Sequence, residues 1–129
     1  RLSHQVAFLQ EGSRCFMRCG QYSDAIVWSR RAIRLSADPE FYYILAESHQ
    51  QLGLYKQAEK YLLKCLHILP EQIETYYRLT KLYAETDYYH PEKLRLAAHS
   101  VLTKKPAVNS DTIKRMKEEA YQLLQMQSF

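Results

Sequence analysis

The sequence repeats itself every 33 residues, and this repetition constrains the fold more than any other feature of the chain. Gly20 and Tyr22 recur as Gly53 and Tyr55, and Ala25 recurs as Ala58. A period of about 20–50 residues is typical of chains in which each unit buries its apolar face only against neighbouring units. The sequence therefore predicts stacked copies of one small unit rather than a single irregular core.

Each unit has the pattern of two amphipathic helices around a tight turn. In residues 39–72, apolar and aromatic side chains recur at helical spacing on both sides of Gly53, and Pro70 ends the second helix. The inward residues predicted for this unit are Tyr42, Leu45, His49, Ala58, Leu62, Cys65 and Leu66. Small Ala58 permits the two helices to approach closely, and Gly53 permits the turn.

This pattern resembles the tetratricopeptide repeat (TPR), with an early aromatic residue and Leu, Gly and Tyr at the turn, small residues in the second helix, and a closing Pro. The resemblance implies an all-α, right-handed superhelix of three helix-turn-helix repeats. We place the repeats at about 6–38, 39–72 and 73–106, within a single TPR domain over 1–129. A solenoid must seal its open end, so a C-terminal capping helix is expected at about 110–126.

Local signals support these boundaries, with three departures from the repeat, the first of which is Ala37 where Pro is usual. Asp38 before Pro39 predicts a helix start, and Asn109 or Ser110 is expected to cap the last helix. Ser29 stands where a large apolar residue is usual. The turn at residues 86–91 carries about two extra residues.

Composition excludes several classes of protein. The chain has 129 residues, 47% of them apolar and 25% charged, which predicts a folded core. The longest run without a charged residue is the ten residues 120–129, too short to span a bilayer. The net charge is +4, and acidic residues are spread throughout the chain. The basic clusters are therefore interpreted as solvated helix faces, and no nucleic-acid partner is expected.

No motif in the sequence predicts catalysis. A glycine-rich phosphate loop, a nucleophile elbow and a zinc-protease motif are all missing, so no enzyme activity, cofactor or metal is expected. Glu118 and Glu119 are interpreted as a solvated pair. Cys15, Cys19 and Cys65 have neither disulfide nor zinc spacing and are predicted to be reduced core residues.

A candidate binding face follows from the repeat register. Tyr43 and Tyr77 take equivalent positions in successive first helices, on the face that lines the concave groove of a TPR superhelix. The residues predicted to contact a protein or peptide segment there are Arg14, Tyr43, Glu47, Tyr77, Arg78 and Lys81. The alternative is that the two tyrosines only contact adjacent helices.

The C-terminal half also resembles a narrower group. The runs YYRLTKLYAETD, VLTKKPAV and NSDTIKRMKEEAYQLL are similar to the tail of O-antigen ligase-like membrane proteins of the Bacteroidetes. This resemblance implies a soluble C-terminal domain of a bacterial inner-membrane ligase or polymerase, with glycan machinery as a partner and the side of the membrane left open. Because a helical pattern already runs by Val6, a longer parent is expected. The alternative is a TPR scaffold, alone or fused differently, that binds a peptide in its groove.

Overall fold

The computed structural model describes residues 2–127 and forms seven α-helices, with no strand in that range. The helices are α1 (Leu2–Arg18), α2 (Tyr22–Ala32), α3 (Pro39–Gln51), α4 (Tyr55–Ile68), α5 (Ile73–Tyr83), α6 (Pro91–Thr103) and α7 (Asp111–Met126). A short 3₁₀ helix, Thr86–Tyr88, takes up the extra residues of the third turn. The predicted all-α architecture of paired helices with a last helix is confirmed.

The turns of the first two hairpins have the same geometry, 33 residues apart. Gly20 and Gly53 have φ angles of 77° and 75°, in the left-handed region that glycine adopts without strain. The N–H of Gln21 donates to the carbonyl of Phe16, and the N–H of Leu54 donates to the carbonyl of His49, each at 2.8 Å. Both helices α1 and α3 therefore end in the same glycine-dependent cap.

The predicted helix starts are confirmed at two positions. The side chain of Asp38 accepts a hydrogen bond of 2.9 Å from the N–H of Glu40, and Pro39 follows as the first helical residue of α3. The hydroxyl of Ser110 accepts one of 3.2 Å from the N–H of Ile113 in α7. Each cap satisfies a backbone donor that the first turn of a helix leaves without a partner.

The chain divides into two compact units, Arg1–Cys65 and Leu66–Phe129. In the first unit, α1 packs against α2, and α3 packs against both. Phe41, Leu45 and Leu62 are fully buried there. His49 is buried with its Nδ1 2.7 Å from the carbonyl oxygen of Leu45, which confirms its predicted inward position.

A large ring substitutes for a missing side chain in the first hairpin. Gly12 and Ser29 lie 33 residues before Leu45 and Leu62, so the first repeat has small residues where the second has leucines. The ring of Trp28 lies directly over Gly12, and a Cβ atom at that position would come within 2.2 and 2.4 Å of two ring carbons. The indole therefore supplies the volume that the first repeat lacks at Gly12.

In the second unit, α5, α6 and α7 pack against one another. A lysine of α7 caps the carboxyl end of α6. The Nζ of Lys117 donates hydrogen bonds to the carbonyls of Val101, Leu102 and Lys104, at 2.6, 3.3 and 2.9 Å. A cation at this end of a helix is favoured by the helix dipole and satisfies carbonyls that have no partner within the helix.

The prediction for the cysteines is confirmed for one and wrong for two. Cys65 is buried, whereas Cys15 and Cys19 are exposed. The packed side of α1 carries Leu9 and Ser13. Cys15 follows Ser13 by two residues, about 200° round the helix, and so points away from that side.

Candidate functional site

In the first unit, the guanidinium group of Arg14 is held by Glu40. Its Nε donates to Oε1 of Glu40, and its Nη2 donates to Oε2 at 2.6 Å. The Nε2 of Gln10 donates to the same Oε2 at 2.5 Å. The hydrogen bond from Arg14 lowers the pKa of Glu40, and the same bond raises the pKa of Arg14. Arg14 thus already pairs with a carboxylate and ties α1 to α3.

The other two predicted residues of this unit differ in exposure. Tyr43 is buried, with 7% of its surface exposed, while its neighbour Tyr42 is half-buried. The interpretation of Tyr42 as the more inward of the two is therefore wrong. Glu47 is half-buried, and its Oε2 accepts a hydrogen bond of 2.8 Å from Nε2 of Gln51.

In the second unit, Tyr77 of α5 is covered and bonded by α7. Only 9% of its surface is exposed, and its hydroxyl donates a hydrogen bond of 2.6 Å to Oε2 of Glu119. Burial, together with this carboxylate, raises the pKa of Tyr77 from 10.0 to about 12. Glu119 is half-buried, so its interpretation as part of a solvated pair is wrong. The phenol holds the carboxylate in one place.

The two predicted cations of α5 have different surroundings. Both Nε and Nη2 of Arg78 lie 2.9 Å from Oε2 of Glu74, one helical turn earlier. Lys81 is exposed, and its Nζ lies 5.2 Å from the centre of the Tyr77 ring, within the range of a cation–π contact. Lys81 therefore offers an exposed ammonium group beside a buried phenol.

A surface groove of about 360 Å³ lies between α5 and α7. Its apolar lining comes from Ala84, Leu123 and Met126, and its polar lining from Lys81, Glu85, Glu119 and Gln122. Met126 is 71% exposed. An apolar surface with a few placed polar groups is the usual composition of a ligand site. Here the groove is suited to an apolar side chain whose neighbours are polar.

Within residues 2–127, no group of three or more His, Cys, Asp and Glu side chains is placed to hold a metal ion. Over the same range, every helix is too short or too polar to cross a bilayer.

Comparisons with known proteins identify the fold. Residues 39–71 match the family model of the tetratricopeptide repeat. The structure of PcrH from Pseudomonas aeruginosa superposes with a TM-score of 0.85, covering 96% of this chain and 92% of PcrH at 14% identity. The fold is that of a TPR domain.

Two further TPR-like structures agree. The Sgt2 TPR domain from Aspergillus fumigatus gives a TM-score of 0.74 at 18% identity, over 93% of this chain and 79% of that domain. Yeast Tom70 gives a TM-score of 0.68 at 22% identity, over 98% of this chain but only 25% of the Tom70 chain. No curated protein matches the sequence. The TPR resemblance is thus confirmed as a fold, whereas the likeness to O-antigen ligase tails is not shown.

One of the six predicted contact residues lines the groove between α5 and α7. That residue is Lys81, and the α7 side of the groove was not predicted at all. Glu119, Gln122 and Met126 are spaced by three and four residues and so share one face of α7. This spacing is a signal that could have identified them once α7 was placed against α5.

Proposed function

We propose that this TPR domain is a non-catalytic interaction module that binds a protein or peptide segment in the groove between α5 and α7. The observation that carries the proposal is the composition of the groove, which combines an apolar lining with an exposed ammonium group on α5 and a fixed carboxylate on α7. Grooves between helices are a recurring way to bind short segments, with apolar anchors giving affinity and polar groups giving direction.

The six residues predicted from the sequence take three roles in this proposal: direct contact, positioning of Glu119, and support of the helices. Lys81 contacts the bound segment directly. Tyr77 acts through Glu119, because its hydroxyl fixes the carboxylate at the groove wall. The ion pairs of Arg14 with Glu40 and of Arg78 with Glu74 keep those cations from a ligand and stabilise the helices instead. Tyr43 and Glu47 belong to the first unit and are proposed as structural support there.

The chemistry of the bound segment follows from the lining. The side chain that enters should be aliphatic or aromatic, since Ala84, Leu123 and Met126 offer it no hydrogen bonds. Residues beside it should carry an acidic group near Lys81 and a donor near Glu119. A segment with a cationic group near Lys81 and an acidic group near Glu119 places like charges together and is expected to bind more weakly.

A peptide-display selection on the full 129-residue chain tests the proposal. Selected peptides are titrated against the wild-type chain, against Lys81→Glu in the groove, and against Lys114→Glu on the exposed side of α7. Both variants make the same charge change, but only the first touches the groove. We expect Lys81→Glu to weaken binding by about tenfold or more and Lys114→Glu to leave it within about twofold. A selection that yields no binder, or binders that respond alike to both variants, contradicts the proposal.

The narrower assignment is a separate proposal that rests on the C-terminal sequence runs alone. In it, the TPR domain follows the membrane-embedded core of a glycan ligase or polymerase, and glycan machinery supplies its partner. The sequence encoded before Arg1 tests this. About ten apolar stretches of about 20 residues support it. A parent protein without these apolar stretches contradicts it and supports the alternative, in which the TPR scaffold stands alone or is fused differently and binds through the groove.

A further inference from the structure

The wall that α7 contributes to the groove ends in an exposed methionine. Met126 is the last residue of α7, lines the groove together with Leu123, and has 71% of its surface exposed. Its thioether is carried on an unbranched side chain that adapts to the shape of whatever packs against it. Most of this residue is also open to reagents dissolved in water.

The other two methionines of the chain are better protected. Met116 belongs to the same helix but is buried, with 5% of its surface exposed. Met17, in α1 of the first unit, is half-buried. The three thioethers have the same intrinsic chemistry, so access from solution is what distinguishes them, and Met126 has the most.

An accessible thioether reacts with two-electron oxidants. With hydrogen peroxide, the sulfur bonds to one peroxide oxygen, the O–O bond breaks, and the products are methionine sulfoxide and water. The sulfur loses two electrons and the peroxide gains them, so no further reagent is needed. The reaction turns a flexible apolar side chain into a polar one, and dedicated reductases reverse it.

One such change is large relative to the apolar lining of the groove. That lining comes from Ala84, Leu123 and Met126. A sulfoxide at position 126 places a strong acceptor where an aliphatic or aromatic side chain of the bound segment would pack, and that side chain has no donor to offer it. Because a polar group covered without a partner is unfavourable, the oxidised groove should bind the segment more weakly.

The fold of the second unit does not depend on Met126 in the same way. An exposed side chain buries little apolar area, and α7 is held by other contacts. These include the bond from Tyr77 to Glu119 and the cap that Lys117 places on α6. Oxidation of Met126 should therefore change the groove without unfolding the unit, whereas an oxygen on buried Met116 would disrupt the core.

We propose that Met126 is an oxidation site through which a peroxide weakens segment binding in the α5–α7 groove. The proposal rests on the proposed function, because it concerns regulation of the same groove. The thioether form binds the segment, and the sulfoxide form releases it. The expected loss of affinity is about tenfold, the size of one lost apolar contact.

Peroxide treatment of the full chain tests the proposal, with Cys15→Ser and Cys19→Ser introduced to remove the two exposed thiols. Peptide mass spectrometry should find one added oxygen on Met126 before Met116 reacts. A peptide selected against the untreated chain should then bind about tenfold more weakly. The midpoint of thermal unfolding should stay within about 2 °C of the untreated value. Treatment with a methionine sulfoxide reductase should restore the affinity.

The matched control is Met126→Leu, which keeps an apolar side chain of similar size but has no sulfur. It should bind the peptide within about twofold of the untreated parent and should lose no affinity on peroxide treatment. The proposal is overturned if Met116 or Met17 is oxidised as fast as Met126, if the oxidised chain binds as tightly as before, or if peroxide weakens Met126→Leu equally. An untreated chain that binds no peptide overturns the proposed function and this proposal with it. That failure is seen before any oxidant is added, so the two are distinguishable.

Discussion

The hydroxyl of Tyr77 in α5 donates a hydrogen bond of 2.6 Å to Oε2 of Glu119 in α7, 42 residues further along the chain. This part-buried bond joins the two walls of the groove. It also fixes the carboxylate that faces a bound segment. The bond adds to the packing of α7 on α5 that forms the groove.

Removing that hydroxyl should destabilise the fold. Tyr77→Phe leaves Glu119 without its donor, and hydrogen bonds to charged groups contribute about 1.5–3 kcal/mol. We expect a loss of that size in the free energy of unfolding by urea denaturation. Tyr76→Phe is the control, because the adjacent hydroxyl bonds the carbonyl of Pro70 at an exposed site. Equal losses in the two variants would contradict the structural role of the Tyr77 hydroxyl.

The raised pKa of Tyr77 predicts how stability changes at alkaline pH. Its pKa is about 12 in the fold against 10.0 ordinarily, so the phenol keeps its proton in the fold after the unfolded chain has lost it. The stability from this group is therefore full below pH 10 and is lost as the pH rises toward 12. Tyrosinate absorbance should show a phenol that titrates near pH 12, and Tyr77→Phe should remove that step. A late step that persists in the variant would assign it to another residue.

The cap that Lys117 places on α6 can be tested in the same way. Lys117→Met keeps most of the aliphatic stem but leaves three carbonyls without their ammonium donor. We expect a loss of about 1 kcal/mol in the free energy of unfolding. Lys114→Met, at an exposed position of the same helix, should change it by less than about 0.5 kcal/mol. Thermal or urea denaturation of the two variants side by side decides the point.

The contact between Gly12 and Trp28 predicts coupled substitutions. Gly12→Ala puts a methyl group into the space of the indole ring and should cost about 1–3 kcal/mol, despite the better helix propensity of alanine. In a Trp28→Leu background, the same change should cost less or stabilise the helix. A double-mutant cycle by denaturation measures the difference. Strict additivity would show that the ring does not limit position 12.

Local features of the fold were predictable because their causes lie within a few residues. The start of α3 at Pro39 follows from Asp38, and the turn between α3 and α4 follows from Gly53. The cap at Ser110 needs only the N–H three residues later. Helical periodicity is equally local, which is why the helices of all three hairpins and α7 were expected where they occur.

The site was harder to predict because its contacts join distant helices. The partner of Tyr77 lies on α7, and nothing in residues near Tyr77 indicates it. The register left two roles open for Tyr77, in the concave groove or against an adjacent helix, and the structure shows that its hydroxyl bonds Glu119 of α7. Likewise, the indole that fills the space at Gly12 comes from α2. The sequence shows a small residue at position 12, but it does not show that the ring of Trp28 packs there.

In the proposed function, the groove between α5 and α7 holds a bound segment, and methionine methyl resonances test this directly. The chain has three methionines: Met126 lines the groove, Met116 is buried in α7, and Met17 belongs to α1 of the other unit. Adding a selected peptide should shift the methyl signal of Met126 and leave that of Met17 in place. A peptide that binds while Met126 stays unshifted and Met17 moves would place the partner elsewhere and contradict the account.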